Sequence, residues 1–488
     1  MEHDGSECFS WANSAMSKSY PHPNPSKSFW IEEGPDDLKN YRSTEALPLD
    51  ADIVIIGSGY SGTSIASHLL WANEDNVNTG LEKQRILMLE ARDFCSGATG
   101  RNGGHIRGEY QADHKSLIEK FGEEIAADIV TFEHNELLKV SKLIKDLNID
   151  CNLDLRTACQ TFDDPKTYED GLNDYYAFMN NKFISQELKD MVNIYFHPQS
   201  NDVSEHKVGP FCYTVPTCSV WPYKLVTFLM KKCLEKGLNL QTYTTVKHLE
   251  KTDGMGWLVV TNRGTVNCKK VICATNAYTR AILPEFGTKI MPVKGVVSHI
   301  KPLKETPGKL KYNYYHTNPC EGDYVTAHKD MSMIAGGGGK TYMKYPNIME
   351  MYNNTDDSFA PNATIEYFRD YAAKMYPDFA KDTDFINDYT WAGCMAYSND
   401  DFPFIGELGK YGRPNLYLQA GFCGHGMPRI WSCSEYLANL INGVSENDNI
   451  KIPSCFKITT ERMFHNKFNF LDAVEEYDPN NKGKFIVQ

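Results

Sequence analysis

The chain has 488 residues, 41% of them apolar and 23% charged, the proportions of an ordinary globular protein with length for two or three domains. Lys and Arg number 50 against 63 Asp and Glu, a net charge of −13, which disfavours a phosphate-neutralising nucleic-acid surface and docking on anionic lipid. No apolar run approaches the roughly 18 residues that span a bilayer, so neither a nucleic-acid nor a membrane partner is expected. The first 20 residues lack the apolar centre of a secretory signal, and the chain does not end in Ser-Lys-Leu; the expected location is cytoplasmic. The 14 cysteines are irregularly spaced without a Cys-x-x-Cys pair, a pattern of reduced, buried thiols and not of a zinc site.

Residues 1–47 read as an extended arm, rich in Pro, Ser and Asn around Tyr20 to Ser26, with Trp30 placed to pin it to the body. Residues 52–56 (DIVII) predict a strand buried on both faces, since such a strand is apolar without alternation. A glycine turn at 57–62, a helix over 61–72, a polar surface loop at 73–85 and a second buried strand at 86–90 complete a βαβ unit. Apolar residues recurring every three or four positions predict a helical region over 114–148, broken near Gly122 or Asn135. Pro222 and Gly237 bracket a helix over 222–236. Strands are predicted at 239–246, 256–262, 270–275, 293–301, 323–328 and 331–335. A surface helix at 363–375, a strand at 415–420 and a helix over 430–442 follow, and the tail after Cys455 carries no clear pattern. The fold class expected is α/β plus β.

The string Gly57-Ser58-Gly59-Tyr60-Ser61-Gly62 stands between strand and helix, which is the context that gives a G-x-G-x-x-G string meaning. Gly57 permits the tight turn, Gly59 a close approach of backbone to a diphosphate, and Gly62 close packing of helix on strand. The helix N-terminus presents unpaired N–H groups to phosphate. Glu90 ends the second strand, where a carboxylate accepts from ribose hydroxyls; the polar insertion at 73–85 accounts for its distance from Gly62. A glycine turn without a ligand is the plain alternative. Four further segments bear on the choice: 97–104 (GATGRNGG), 271–278 (VICATNAY), 292–295 (PVKG) and 421–427 (GFCGHGM).

Together these five strings resemble the D-amino-acid oxidase-like superfamily of FAD-dependent oxidoreductases, and within it the glycine, sarcosine and γ-glutamylputrescine oxidase group. The resemblance runs from about Asp52 to Leu440. It implies a glutathione-reductase-like FAD-binding domain (48–112, 216–285 and 395–450) and a discontinuous substrate domain on an antiparallel sheet (113–215 and 286–394), with the arm before them and a tail at 451–488. FAD is then expected along Gly57 to Gly62 with its diphosphate, near Glu90, Ala91 and Arg92 with its adenosine, and near Thr99, Gly100, Arg101, Asn102, Gly103 and Gly104 with its ring. Val246, Ala274 and Thr275 match positions that contact the dinucleotide. Gly421, Gly424, His425, Gly426 and Met427 match the turn under the ring's pyrimidine end, whose N–H groups, with those of the following helix, are expected to stabilise charge on reduced flavin. His425 either assists there or satisfies a buried backbone group.

Cys394 matches a position at which sarcosine oxidase-like enzymes carry a covalent flavinyl cysteine. It is either a tether or a buried, inert thiol. The same enzymes place a substrate-clamping lysine where this chain has Pro428; Arg429 is adjacent but out of register. A lysine that promotes reaction with oxygen falls near Met331 to Met333, where none stands. His105, Arg107, Tyr324, His328 and Tyr397 are the remaining pocket candidates, each with a structural role as the alternative, and Arg107 is suited to a substrate carboxylate. The resemblance implies oxidation of a C–N bond of an amine or amino acid to an imine, with oxygen as acceptor and hydrogen peroxide as product. The alternatives are a dehydrogenase passing electrons to a quinone or protein carrier, and a non-catalytic flavin-binding protein.

Overall fold

A computed structural model describes residues 19–76, 84–162, 164–204, 209–254, 256–304, 310–318, 322–342, 347–380, 383–444 and 451–464. Two sheets organise the chain. In the first, the strand Asp50–Ile56 lies parallel between Gly264–Cys273 and Ile86–Leu89. Leu416–Ala420 and Asn239–Gln241 extend it in parallel on either side, and Phe404–Glu407 closes one edge antiparallel. Val54 and Ile55 are fully buried, as a strand covered on both faces requires. The helices Tyr60–Asn76, Pro222–Glu235 and Ile430–Ile441 share one apolar core against this sheet, through Ile65, Leu69, Leu225, Leu229 and Leu437.

The second sheet runs Phe385–Ser398, Ile290–Pro302, Met333–Gly337, Asp323–Ala327, Asn313–Thr317, Asp154–Phe162, Phe211–Ser219 and His105–Ile106. It is antiparallel except where Asn313–Thr317 runs alongside Asp154–Phe162. Its longest ladder joins Ile290–Pro302 to Phe385–Ser398 and sets Lys294 opposite Cys394. The fold is thus the mixed α/β sheet plus curled antiparallel sheet that was expected.

The predicted βαβ unit is present, and the long helical region divides at Gly122, whose φ of +85° ends His114–Phe121 before Glu123–Asp146 begins. Asn135 lies inside the second helix and breaks nothing. The stretch at 239–246 splits: Asn239–Gln241 joins the parallel sheet and Val246–Lys251 starts a separate hairpin. The surface helix at 363–375 is two short ones, Asn362–Arg369 and Tyr371–Met375. The strands Asp154–Phe162, Phe211–Ser219, Asn313–Thr317 and Phe385–Ser398 escaped the sequence reading. Phe211–Ser219 and Phe385–Ser398 belong whole to the second sheet, so they run across the boundaries set at 216 and 395. Residues 1–18 of the arm, 77–83 of the polar loop and 465–488 of the tail lie outside the described residues.

The arm from Ser19 onward lies on the body. Trp30 is buried to 1% exposure. Its indole N–H donates to Asn102 O at 2.6 Å and Trp221 returns a bond to Trp30 O at 2.9 Å. The deepest joint is Asp357, fully buried. Arg92 Nη1 donates to both oxygens of the Asp357 carboxylate, at 2.9 and 3.0 Å, and Arg101 Nε lies 3.6 Å away, while Ser26 of the arm bonds the Asp357 carbonyl. Asp357→Asn leaves two buried guanidinium groups without their counter-charge. It is expected to destabilise the chain by about 3 kcal/mol, read as a fall in urea midpoint, whereas Asp356→Asn, on a residue that stays partly exposed, leaves the midpoint within about 0.5 kcal/mol of the wild type.

Candidate active site

One cavity of about 540 Å³ runs from the first sheet's glycine turn to the face of the second sheet. At its first end, Gly57 takes φ +107°, and a side chain there would strike Ala274 O at 2.5 Å. A Cβ on Gly62 would lie 2.0 Å from Gly57 O, which is the close helix–strand packing that this position demands. Gly59, Tyr60 and Ser61 line the cavity, while Ser58 and Gly62 sit behind it. Thr99 Oγ accepts the Tyr60 N–H at 2.9 Å, so the next loop is fastened to the helix N-terminus. Glu90 lines the cavity and is partly engaged: one oxygen accepts from the Ser58 N–H and hydroxyl at 3.0 and 2.8 Å, the other from the Arg92 N–H at 3.0 Å. A carboxylate has about four acceptor positions, so capacity for further donors remains. Arg92 presents itself to the cavity, but its guanidinium is committed to Asp357. Ala91, Val246, Ala274 and Thr275 complete this end, and the Val246 side chain is buried among Trp257 and Val259.

The loop at 97–104 is built by its own asparagine. Asn102 Nδ2 donates to Ala98 O and Thr99 O at 3.3 and 3.1 Å, and Asn102 Oδ1 accepts the Gly104 N–H at 2.7 Å. Thr99, Arg101, Asn102 and Gly103 face the cavity; Gly100 and Gly104 are turned against Ile31 and Trp30. The Tyr324 ring lies between Gly103 and Gly336, where a Cβ would meet it at 2.3 and 2.1 Å respectively. Burial raises the Tyr324 phenol above its ordinary value, so it stays protonated.

Beyond the loop the backbone is extended, and alternate residues His105, Arg107 and Glu109 turn to the cavity. Burial, helped by Arg107 and His425, pushes His105 down to about 3, and its Nε2 has no partner. Arg107 donates to Gln160 at 2.8 Å, lies over the Tyr315 ring at 5.5 Å and keeps an unpartnered Nε. Glu109 was not singled out from the sequence, although its place two residues past Arg107 on an extended run was the available signal. Tyr315, Tyr342 and Met395 also line the cavity and were not foreseen. Tyr397 lines it too, its hydroxyl 3.2 Å from where a Cβ on Gly424 would stand.

The turn at 421–427 departs from expectation in its donors. Asn276 Oδ1 accepts from the Gly421 and Phe422 N–H groups, Cys423 bonds Ala396 O and His425 bonds Phe422 O. The N–H groups of Trp431 and Ser432 are taken by Glu136 at 2.6 and 3.0 Å. The first turn of the helix Ile430–Ile441 is therefore capped internally and offers those groups to no ligand. Gly424, Gly426 and Met427 line the cavity, and their N–H groups have no acceptor among the described residues. Gly421 stands outside, near Ile290.

His425 lies between two carboxylates, Nδ1 at 3.3 Å from Glu109 and Nε2 at 3.4 Å from Glu133, the latter without hydrogen-bond alignment. Fully buried Glu133 also accepts from Arg429 at 2.6 Å and from the Glu109 N–H at 2.8 Å. Burial works against its charge, but Arg429 and His425 outweigh it and hold Glu133 at about 2. Arg429 is thus locked away from the cavity and is no replacement for the missing clamp lysine; Pro428 does line it. His328 also lies away from the cavity. The strand ends at Ala327, and His328 bonds Ser332 and lies near Trp30. Cys394 lines the cavity at 2% exposure, its thiol pushed up to about 12 by burial.

A glycine turn between strand and helix that opens into a cavity under an antiparallel sheet is the arrangement of a dinucleotide-binding protein. The chain belongs to the FAD dependent oxidoreductase family (DAO), whose model matches residues 52–440. It is 24% identical over 410 residues to gamma-glutamylputrescine oxidoreductase of Escherichia coli, covering 82% of this chain and 85% of that protein. It is 23% identical over 416 residues to the probable oxidoreductase OrdL of Rhizobium meliloti, covering 83% and 87%. Among solved structures, glycine oxidase from Geobacillus kaustophilus superposes with a TM-score of 0.66 at 17% identity, over 84% of this chain and 99% of that one. Among the described residues no helix is long and apolar enough to cross a membrane, and no cluster of His, Cys, Asp and Glu could hold a metal.

Glu133 makes the site's stability depend on pH. A carboxylate held at about 2 in the fold and about 4.5 when unfolded contributes stability above 4.5 and loses it as pH falls through 2. The Glu133→Gln variant is expected to lie about 3 kcal/mol below wild type at neutral pH. That gap should narrow as pH falls from about 4.5 towards 2, measured as the difference in urea midpoint; a gap constant across the window removes the assignment.

Proposed function

We propose that this chain oxidises a C–N bond of an amine or amino acid to the imine, passing the electrons to oxygen with hydrogen peroxide as product. The observation that carries the reading is the single cavity that joins the dinucleotide turn to a wall of neutral His105, cationic Arg107 and protonated Tyr324. FAD supplies a two-electron acceptor there. Gly57 to Ser61 would hold its diphosphate, Glu90 and Val246 its adenosine end, and Thr99 to Gly103 with Gly424 to Met427 its ring. The three lining N–H groups at Gly424, Gly426 and Met427 favour negative charge at that end. His105 carries no charge at ordinary pH, and Arg107 repels a cation. The amine is therefore bound neutral, with the lone pair that C–H cleavage needs. Arg107 takes a substrate carboxylate, and with Pro428 in place of a lysine, small α-amino acids are held poorly.

The test is a peroxide-coupled screen of amines, N-methyl amino acids and γ-glutamylputrescine, paired with anaerobic mixing. Bleaching of the flavin by substrate and prompt recovery in air are expected. Turnover should rise with pH as the amine loses its proton, and Arg107→Ala should raise KM about tenfold or more for a carboxylate-bearing substrate. Bleaching without recovery in air makes the protein a dehydrogenase. No bleaching by any amine sinks the reading.

The same proposal has FAD attached through Cys394. Attachment needs the thiol proton removed; burial opposes that, and the Tyr278 hydroxyl, Arg92 and Lys294, its partner across the ladder, favour the thiolate. After acid precipitation the flavin should stay with the pellet, on the peptide holding Cys394, and Cys394→Ser should release it. Full release from folded wild-type protein removes the tether and leaves the oxidation reading in place.

A further inference from the structure

The family match begins at residue 52, yet the loop facing the cavity is held from behind by residues that precede it. Ser28 Oγ donates to Gly100 O at 2.6 Å and Trp30 Nε1 to Asn102 O at 2.6 Å. Between them, Arg101 O accepts from Trp391 Nε1 at 2.9 Å. The earlier carbonyls are engaged as well: Gly97 O by the Gly100 N–H, Ala98 O and Thr99 O by Asn102 Nδ2. Every carbonyl from Gly97 to Asn102 therefore accepts a hydrogen bond within the protein, and two of the six depend on the arm. Ser28 and Trp30 are each buried to 1% exposure. The arm also fills the volume behind the glycines, since a Cβ on Gly100 would meet Ile31 at 2.9 Å and one on Gly104 would meet Trp30 at 3.2 Å.

The chemistry of a flavin gives this arrangement a use. Its ring edge carries carbonyl oxygens and nitrogen lone pairs and gains negative charge on reduction. A protein carbonyl swung towards that edge repels it, whereas a loop whose carbonyls are drawn outward does not. We propose that Ser28 and Trp30 are positioning residues for FAD: by holding the Gly100 and Asn102 carbonyls away from the cavity, they keep the loop in the form that accepts the flavin ring. The inference rests on the placement of the ring proposed above. It assigns the arm a part in cofactor binding that the matched family segment does not contain.

The test uses the full chain loaded with FAD. Trp30→Phe keeps an aromatic ring and removes the N–H; Ser28→Ala removes the hydroxyl without adding volume. Three quantities are read: the visible circular dichroism of the bound flavin, the rate of FAD loss in a Cys394→Ala background, and the melting temperature of the apoprotein. One lost hydrogen bond corresponds to about tenfold faster FAD loss. That change is expected in each variant, together with an altered visible dichroism, a fall in apoprotein stability smaller than the loss of FAD binding, and restoration of both flavin signals in the Ser28 series by Ser28→Thr. Unchanged dichroism and unchanged FAD loss in both variants overturn the proposal. So does faster loss that comes with an equal fall in apoprotein stability, because the arm is then only packing. Gly59→Val, placed where the diphosphate approaches, separates the two readings. If it yields colourless protein while the arm variants behave as wild type, the FAD placement stands and the arm proposal falls. If it binds FAD normally, the placement itself is wrong.

Discussion

The buried carboxylate of Asp357 is the joint on which the remaining structure depends. It comes from the segment that follows the central strands of the second sheet, and it holds two arginines that flank the glycine loop of the first. Burying ions costs several kcal/mol each, and only close pairing with further hydrogen bonds offsets it. Here further donors are engaged: Arg92 also reaches His22 O and Ser96 O, and Arg101 reaches Ser96 O and Ala392 O. Glu90 lines the cavity beside Arg92 as well, so in that wall two guanidinium groups, Arg92 and Arg101, are set against two carboxylates. A ligand that binds there only to the folded chain adds to the stability of the folded state.

A second buried carboxylate pair does the corresponding work at the far end. Glu133 and Glu136 stand three residues apart on one face of the helix Glu123–Asp146. One meets Arg429 and His425; the other caps the N-terminus of Ile430–Ile441. Their environments separate them sharply. Glu133 faces cations and stays ionised, while Glu136, with hydrogen bonds from Ser432 and Trp431 and a weaker pull from Lys139 against it, is pushed up by burial to about 7. The helix Glu123–Asp146 is thereby docked on the helix Ile430–Ile441 and the turn before it through two carboxylates.

How much of this was legible follows from how local each cause is. The strand Asp50–Ile56, the turn after it and the helix Pro222–Glu235 are written in contiguous signals, namely apolar runs, glycines at fixed spacing, and Pro and Gly at helix ends. The break at Gly122 was readable because a glycine with positive φ ends a helix by itself. Phe385–Ser398 was not, because its first six residues are partly exposed and mixed in character and continuous burial begins only at Trp391; pairing with Ile290–Pro302 makes it a strand. Cys394 was placed by motif position, Tyr397 by its nearness to Cys394, and Tyr324 and His328 by parity on one predicted strand. Tyr324 lines the cavity, whereas His328 does not, because its strand stops one residue short and parity cannot reveal where pairing ends. Arg92 was placed near the adenosine and Arg429 beside the clamp position, yet their partners Asp357 and Glu133 lie hundreds of residues away in sequence. A buried ion pair across domains leaves no local trace.

The cavity's substrate wall shows the same principle in the other direction, since three residues at spacing two turn a short extended run into a gradient of charge. His105 is half-buried and neutral, Arg107 is cationic and at 7% exposure better buried than His105, and the Glu109 side chain, 32% exposed, ends the run with a carboxylate. That carboxylate is open to solvent. Under the proposed reaction an ammonium is attracted at the outer position and disfavoured at the inner two, where Arg107 and the absence of a counter-charge on His105 both oppose it. Outer attraction raises the local concentration of substrate cation, and inner repulsion selects the deprotonated amine for the ring. Specificity then rests on where along this run a substrate carries its charges. On that reading, a carboxylate level with Arg107 relieves the repulsion that an amine alone would meet, so the charges along this run select among amines of similar size.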